Sequence, residues 1–329
     1  MLREFGFIKT TNLLKRASSD FLNSFFVHDN RLLYIPAESI LNTPMYRSAK
    51  TLCGRAIDMA GGDRATIRYI LSWLVFLTKA PFTRTDLEDP SYNDWIERQV
   101  HPKPVIALTR RDALDGVSRI VRWLITDIEP TFVGNHGPGS TAGGGRLVPD
   151  KNRAYQPTVQ TLALTRFHVE DKEYKVRRRQ RPSELMMVAK DSGALRPITK
   201  ETVEMQHAQQ GIKRDIYRAT DLDPDVNAGI FIRYSDQSLS QECALRGSEI
   251  SGDEEKPSTL DSSFASDRLS VDLVAELFSG NLLHYLMAGR TWDCKVGKQV
   301  IELAMYGGMG SALTFPVQTI VFTAITIWG

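Results

Sequence analysis

Thr259-Leu260-Asp261-Ser262-Ser263-Phe264-Ala265-Ser266-Asp267-Arg268-Leu269-Ser270-Val271-Asp272 is the stretch on which the fold reading turns. Asp261 and Asp267 stand six residues apart. A short strand over 258–260 leads into Asp261, and a helix starts near Ser266 or Asp267, either of which can cap its first N–H groups. Such a bend aims the first carboxylate at a metal ion and leaves the second near the same cavity. Magnesium prefers one or two carboxylates completed by substrate phosphates and water. Aspartates also cap helices, and an acid at a helix start suits the positive end of its dipole. On spacing alone Asp261 stays open between metal ligand and cap, and Asp267 between an acid at a helix start and a ligand of a ribose hydroxyl.

Outward from this stretch, Val271, Val274, Ala275 and Phe278 follow the spacing of a helix with one buried face. Gly307-Gly308-Met309-Gly310-Ser311 reads as a flexible loop beside a template or sugar. A helix follows from Thr314, with Pro316 in its first turn and Val317, Ile320, Val321 and Ala324 as its apolar stripe. Upstream, Lys190 and Arg196 flank the turn Asp191-Ser192-Gly193. A lysine is a point charge for phosphate and an arginine a planar fork, so the two suit a triphosphate and its departing pyrophosphate. An exposed hairpin with solvated cations fits equally well.

Lys175, Arg177, Arg178, Arg179 and Arg181 form the densest basic run. It suits a nucleic-acid backbone or incoming triphosphates, with a solvated charged face as the other reading. Residues 134–145, Gly-Asn-His-Gly-Pro-Gly-Ser-Thr-Ala-Gly-Gly-Gly, are a loop that lets a phosphate or another backbone approach, or else a flexible linker. No Gly-Lys-Ser/Thr follows, so it is not a Walker loop. His136, inside it, is the one histidine with a claim to attention.

The 329 residues are 42% hydrophobic, enough for a substantial core, which argues against disorder. A net charge of +2 does not by itself indicate a nucleic-acid partner. Cys53, Cys243 and Cys294 are far apart and read as reduced thiols, with neither a disulfide framework nor a zinc knuckle. The N-terminus lacks a signal peptide's apolar core. The apolar runs at 70–77 and 315–328 are too short or too polar to span a membrane and read as buried helices. Residues 66–78 and 111–129 carry helical periodicity, with a short helix near 94–100. Residues 160–200 look like strands joined by basic turns, 184–189 being a buried strand. A helix over 201–218 and a loop-rich stretch over 221–257 follow.

In order, these pieces resemble the RNA-directed RNA polymerases of the small single-stranded RNA bacteriophages, the leviviruses. Residues 135–141, Asn-His-Gly-Pro-Gly-Ser-Thr, resemble that family's Gly-Pro-Gly-Ala-Thr segment. Residues 188–196 resemble motif F, the finger loop whose Lys and Arg hold the triphosphate. Residues 260–267 are similar to motif A, Asp-Leu-Ser-Ala-Ala-Ser-Asp in the family, and keep its Asp spacing. Residues 309–315 are similar to motif B, Met-Gly-Asn-Gly-Tyr-Thr-Phe in the family. Pro316 and Ala312 depart from the family pattern, the second replacing a glycine and implying a stiffer loop. The likeness covers about residues 130–329.

The resemblance implies an α+β right-hand polymerase. Residues 1–130 would be a helical part of the fingers, 131–257 fingers with the glycine loop and motif F, and 258–329 a partial palm with motifs A and B. It implies RNA-templated attack of a 3′-OH on an NTP, with two magnesium ions. Asp261 and the Ser262 carbonyl would bind metal. Asp261 and Asp267 would be catalytic. Asp267 and Thr314 would read the ribose, whose 2′-OH distinguishes RNA from DNA. Lys190 and Arg196 would hold phosphates, and Gly310 and Ser311 would form the mobile loop. Template and nascent RNA, NTPs and host translation factors would be partners in the cytoplasm of a bacterial host, with no membrane. The family's Gly-Asp-Asp hairpin, motif C, occurs nowhere in this chain. The expectation is therefore a polymerase cut within its palm, lacking motif C and thumb and inactive alone. Two rivals remain: a magnesium-dependent phosphohydrolase using Asp261 and Asp267, and a non-catalytic RNA-binding protein with strong salt dependence.

Overall fold

Val117, Val121 and Leu124 recur on one face of a helix over Arg111–Leu124, and all three are buried. That amphipathic helix anchors the core. The computed structural model describes residues 25–28, 31–34, 88–101, 108, 110–125, 127–165, 175–191, 194–221, 232–234, 236, 238–249, 257 and 265–329. The predicted helix over 66–78, the strand over 258–260, and Asp261, Ser262 and Cys53 lie outside them.

The elements run β1 (Phe25–His28), β2 (Arg31–Tyr34), α1 (Glu88–Val100), α2 (Arg111–Leu124), α3 (Val148–Ala154), α4 (Val159–Leu164), β3 (Ser183–Asp191) and β4 (Ala194–Lys200). They continue with α5 (Val203–Asp221), α6 (Ser238–Glu249), a 3-10 turn (Ala265–Arg268), α7 (Val271–Leu277), α8 (Gly280–Ala288), β5 (Asp293–Val296), β6 (Gln299–Glu302) and α9 (Thr314–Trp328). Helices and a small mixed sheet together make an α+β architecture.

Two compact units divide the chain. One gathers Met1–Ser91, Met187–Arg196 and Ser251–Glu254. Its described part includes the antiparallel hairpin β1–β2, with Phe25 opposite Tyr34. The other gathers Tyr92–Met186, Pro197–Ile250 and Glu255–Gly329. In it α9 packs on α2, on α5 and on the 3-10 turn, while α7 packs on α2 and α8 on α4. The predicted stripe of α9 is fully buried at Val317, Ile320, Val321 and Ala324. These side chains share one core with Ile212 and Ile216 of α5, Leu277 of α7 and Leu286 of α8. No helix among the described residues is long and apolar enough to cross a membrane.

The sheet has the order β4-β3-β5-β6. Strand β3 runs parallel to β5, pairing Ser183 with Cys294, and β5 turns back into β6.

Several expectations need correction. Residues 159–164 are a helix rather than a strand, because Thr158 and Thr161 form a reciprocal capping box. Strand β3 is only half-buried: Leu185 faces the core while Met186 and Val188 are exposed, as a pleat requires when one face is wet. The stretch 221–257 contains α6. Helix α7 is capped by Ser270, whose hydroxyl accepts from the Leu273 N–H, and not by Ser266 or Asp267. Ala275 is exposed and Leu277 takes its place on the buried face.

Candidate functional site

Asp267 lies in the 3-10 turn with φ −89° and ψ 16°, and its carboxylate is buried. Arg98, in the last turn of α1, donates from Nε to Asp267 Oδ2 at 2.9 Å. It also pairs with Asp94 one turn back on the same helix. The Ser266 hydroxyl lies 3.3 Å from the other Asp267 oxygen. Burial pushes the Asp267 carboxyl above its ordinary range, and the Arg98 guanidinium opposes that shift.

Asp267 is thus the buried half of a partly buried ion pair. Its oxygens are turned toward a guanidinium and a hydroxyl, an arrangement that does not suit a magnesium ligand. No group of three or more His, Cys, Asp or Glu side chains converges as a metal site among the described residues.

The glycine loop sits directly beside this turn. Leu269 O accepts from Tyr306 N at 2.7 Å, Val271 N donates to Ala304 O at 3.1 Å, and Ser270 bridges Met305. Gln99, the neighbour of Arg98, accepts from Met305 N at 3.4 Å. One helix end therefore holds both the Asp267 turn and the entry to the 307–311 loop.

The loop itself is closely bonded. Thr199 N, on β4, donates to Met309 O at 2.9 Å. The buried Thr314 hydroxyl donates to Gly308 O at 2.9 Å, and Ser311 N donates to the same oxygen at 3.2 Å. Gly310 has φ +138°, and a Cβ there would lie 2.0 Å from the Thr199 carbonyl oxygen. Only glycine meets both conditions. The Thr314 hydroxyl thereby closes the loop.

Behind the loop runs a buried polar chain. Gln209 of α5 accepts from Ala312 N at 3.1 Å and donates to Gly289 O at 3.0 Å. It also hydrogen-bonds the Glu201 carboxyl, which takes a further hydrogen bond from Thr291. Burial pushes Glu201 up to about 7, with Thr291, Gln209 and Arg290 opposing. Arg290 is buried too and donates to the carbonyls of Tyr306 (3.1 Å), Met305 (3.0 Å) and Leu303. Each of these groups has a hydrogen-bond partner, and among their buried polar atoms Arg290 Nη1 is left without one.

The first glycine loop, 134–145, is held differently. Lys151 of α3 is fully buried and its ammonium donates to Gly137 O at 2.5 Å and Gly139 O at 2.6 Å, with Gln206 Oε1 at 3.3 Å. Burial lowers the Lys151 pKa. His136 Nε2 lies 2.8 Å from Asn152 Oδ1, and its ring meets those of His207 and Tyr155. Burial pulls His207 down to about 3, so it is neutral at ordinary pH. These contacts fix a wall of the fold, which excludes the flexible-linker reading of the loop.

Of the basic residues, Lys175, Arg177, Arg178 and Arg179 line a groove of about 700 Å³ together with Gln156 and Val176. Arg181 is not among them. It forms a two-pronged pair with the buried Glu204, at 3.1 and 2.8 Å. Lys190 and Arg196 are exposed on β3 and β4.

The sequence reading missed Arg98, Gln99, Lys151, Thr199, Glu201 and Gln209. No local pattern marks them. Each acts by reaching a backbone or carboxylate that is distant in sequence; Arg98 and Asp267, for example, are 169 residues apart.

No curated protein matches the sequence. A family model described as RNA replicase, beta-chain, matches residues 148–327, more than half of the chain. That span includes the Asp267 turn, the 307–311 loop and the basic groove, and the chain belongs to the RNA replicase beta-chain family.

Proposed function

We propose that this chain carries the nucleotide-adding centre of an RNA-directed RNA polymerase that copies a viral RNA genome. The reaction is attack of an RNA 3′-OH on the α-phosphate of an NTP chosen by the template, with release of pyrophosphate. The observation that carries this reading is the pairing of the segment after Asp267 with the segment before Gly307, through Leu269–Tyr306 and Val271–Ala304. Two motifs with separate sequence claims to the nucleotide are adjacent in space.

In this reading residues 131–257 serve as fingers and 258–329 as part of the palm, with 1–130 adding helices to the fingers. Lys190 and Arg196 hold phosphates by charge. Gly310 and Ser311 border the nascent base pair. Asp267 reads the ribose by exchanging its bond to Arg98 for one to a sugar hydroxyl. Thr314 acts behind it by keeping the loop closed. Asp261 and the Ser262 carbonyl are assigned to magnesium on the sequence motif alone. Bound there, magnesium would neutralise triphosphate charge and lower the pKa of the attacking hydroxyl. Host translation factors as further subunits follow from the family resemblance.

The test is template-dependent incorporation of labelled nucleotide by the complete replicase containing this chain. Asp261→Asn is expected to abolish incorporation while the protein stays folded by circular dichroism. Incorporation at the wild-type rate would remove Asp261 from the centre. Magnesium-dependent hydrolysis of a small phosphate ester without template would favour the phosphohydrolase instead. The groove at Lys175–Arg179 favours RNA binding as a second property, one that does not depend on catalysis.

A further inference from the structure

The buried segment Gly289-Arg290-Thr291 is tied to both ends of the 307–311 loop. At the entry, the Arg290 guanidinium donates to the carbonyls of Tyr306 (3.1 Å), Met305 (3.0 Å) and Leu303. At the exit, Ala312 N donates to Gln209 Oε1 at 3.1 Å, and the Gln209 amide nitrogen donates to Gly289 O at 3.0 Å. Gln209 is 0% exposed, so neither bond competes with water.

The amide serves in one orientation only. Ala312 offers an N–H and Gly289 a carbonyl oxygen, so a flipped amide would set donor against donor and acceptor against acceptor. Glu201 enforces the working orientation. Its buried carboxyl takes a hydrogen bond from Gln209 and another from the Thr291 hydroxyl. One glutamine side chain thus links α5, the end of α8, Glu201 and the exit of the glycine loop.

We propose that Gln209 is a positioning residue for nucleotide addition: by holding Ala312 N it fixes Gly310 and Ser311 where they border the incoming nucleotide, and Glu201 sets the direction of its amide. This rests on the polymerase reading of the loop and adds a residue too buried to touch RNA or NTP. Small displacements of a substrate-positioning segment are costly even when they arise away from the chemistry. Loss of positioning raises KM for the nucleotide, whereas a fold that is merely weakened lowers the active fraction and with it kcat alone.

The experiment makes two measurements on the complete replicase containing this chain. Gln209→Met keeps the length and bulk of the side chain and removes its donor and acceptor. Amide hydrogen exchange over 306–313 is expected to quicken about tenfold, the loss of one buried hydrogen bond, with α2 unchanged. In template-dependent incorporation, KM for the NTP is expected to rise about tenfold while kcat stays within about twofold of the wild type. Circular dichroism checks that the variant folds. If it does not, Gln209→Glu makes the same test at two pH values against the wild type. At about pH 6, Glu201 is protonated, because burial pushes its pKa up to about 7, and it can donate to the new carboxylate, which still accepts from Ala312 N. At about pH 8.5 the two carboxylates repel, and loop exchange and KM are expected to rise together. Exchange unaltered in a folded Gln209→Met would overturn the proposal. So would quickened exchange with an unchanged KM, or a loss confined to kcat. Absence of incorporation by the wild type would sink the polymerase reading, and the exchange measurement would still decide whether Gln209 holds the loop.

Discussion

The two glycine-rich loops look alike in sequence and are held by opposite means. Residues 134–145 are organised by a side chain: the buried Lys151 ammonium gathers the carbonyls of Gly137 and Gly139. Residues 307–311 are organised by neighbouring backbone, with Thr199 N on Met309 O and the Thr199 carbonyl filling the space a Gly310 side chain would need. Glycine serves close approach in both: a Cβ would lie 2.2 Å from the His207 ring at Gly134 and 2.0 Å from the Thr199 carbonyl oxygen at Gly310. Glu201 joins the two. Its carbonyl accepts from Ala142 N in the first at 2.8 Å, and its carboxyl reaches the second through Gln209 and Ala312.

The largest effect is expected at the first loop. Lys151→Met keeps the length of the side chain and removes the donor, leaving two buried carbonyls without a charged partner. A loss of about 3 kcal/mol is expected in urea unfolding. A loss below about 1 kcal/mol would show that the loop is held by its own hydrogen bonds, and the contrast between the loops would fail.

Gly310→Ala attacks the second loop. Positive φ and collision with a backbone carbonyl together are expected to cost about 2 kcal/mol. Because the displaced segment is the proposed nucleotide border, incorporation should fall further than stability does. A variant with wild-type melting and wild-type incorporation would mean that the close approach is not required.

The smallest effect concerns the link. Burial raises the folded Glu201 pKa from 4.5 to about 7. The folded state then holds a proton that the unfolded chain has released, so stability falls as pH rises through that window. Below 4.5 the contribution is fully present, and above about 7 it is lost. Glu201→Gln, which keeps a hydrogen-bonding group and cannot ionise, is expected to flatten this part of the stability–pH curve. Parallel curves for the variant and the wild type would refute the assignment.

Helices α2, α5 and α9 were legible because a 3.6-residue period survives any later packing. The stripe at Val317, Ile320, Val321 and Ala324 needed no tertiary information. The cap of α7 was misread because three candidates, Ser266, Asp267 and Ser270, stand close together. Which one caps is settled by where the backbone enters the helix. Helix α4 was read as strand because Val159, Leu162 and Leu164 fit either period over so short a stretch, while its capping box depends on two threonine hydroxyls finding each other. In the candidate site, the motif residues were visible and their supports were not. Arg181 reads as one more cation in a run until Glu204 is placed against it.

By itself the sequence determined the α+β class, the apolar faces and the order of the motifs that places the chain among the RNA replicase beta-chains. These follow from local spacing and residue chemistry, which persist in any conformation. The tertiary structure alone decided that Asp267 is paired with Arg98 and that Lys151 is buried under the first glycine loop. Each depends on residues far apart in the chain meeting in space, and only the packed core fixes which distant groups meet.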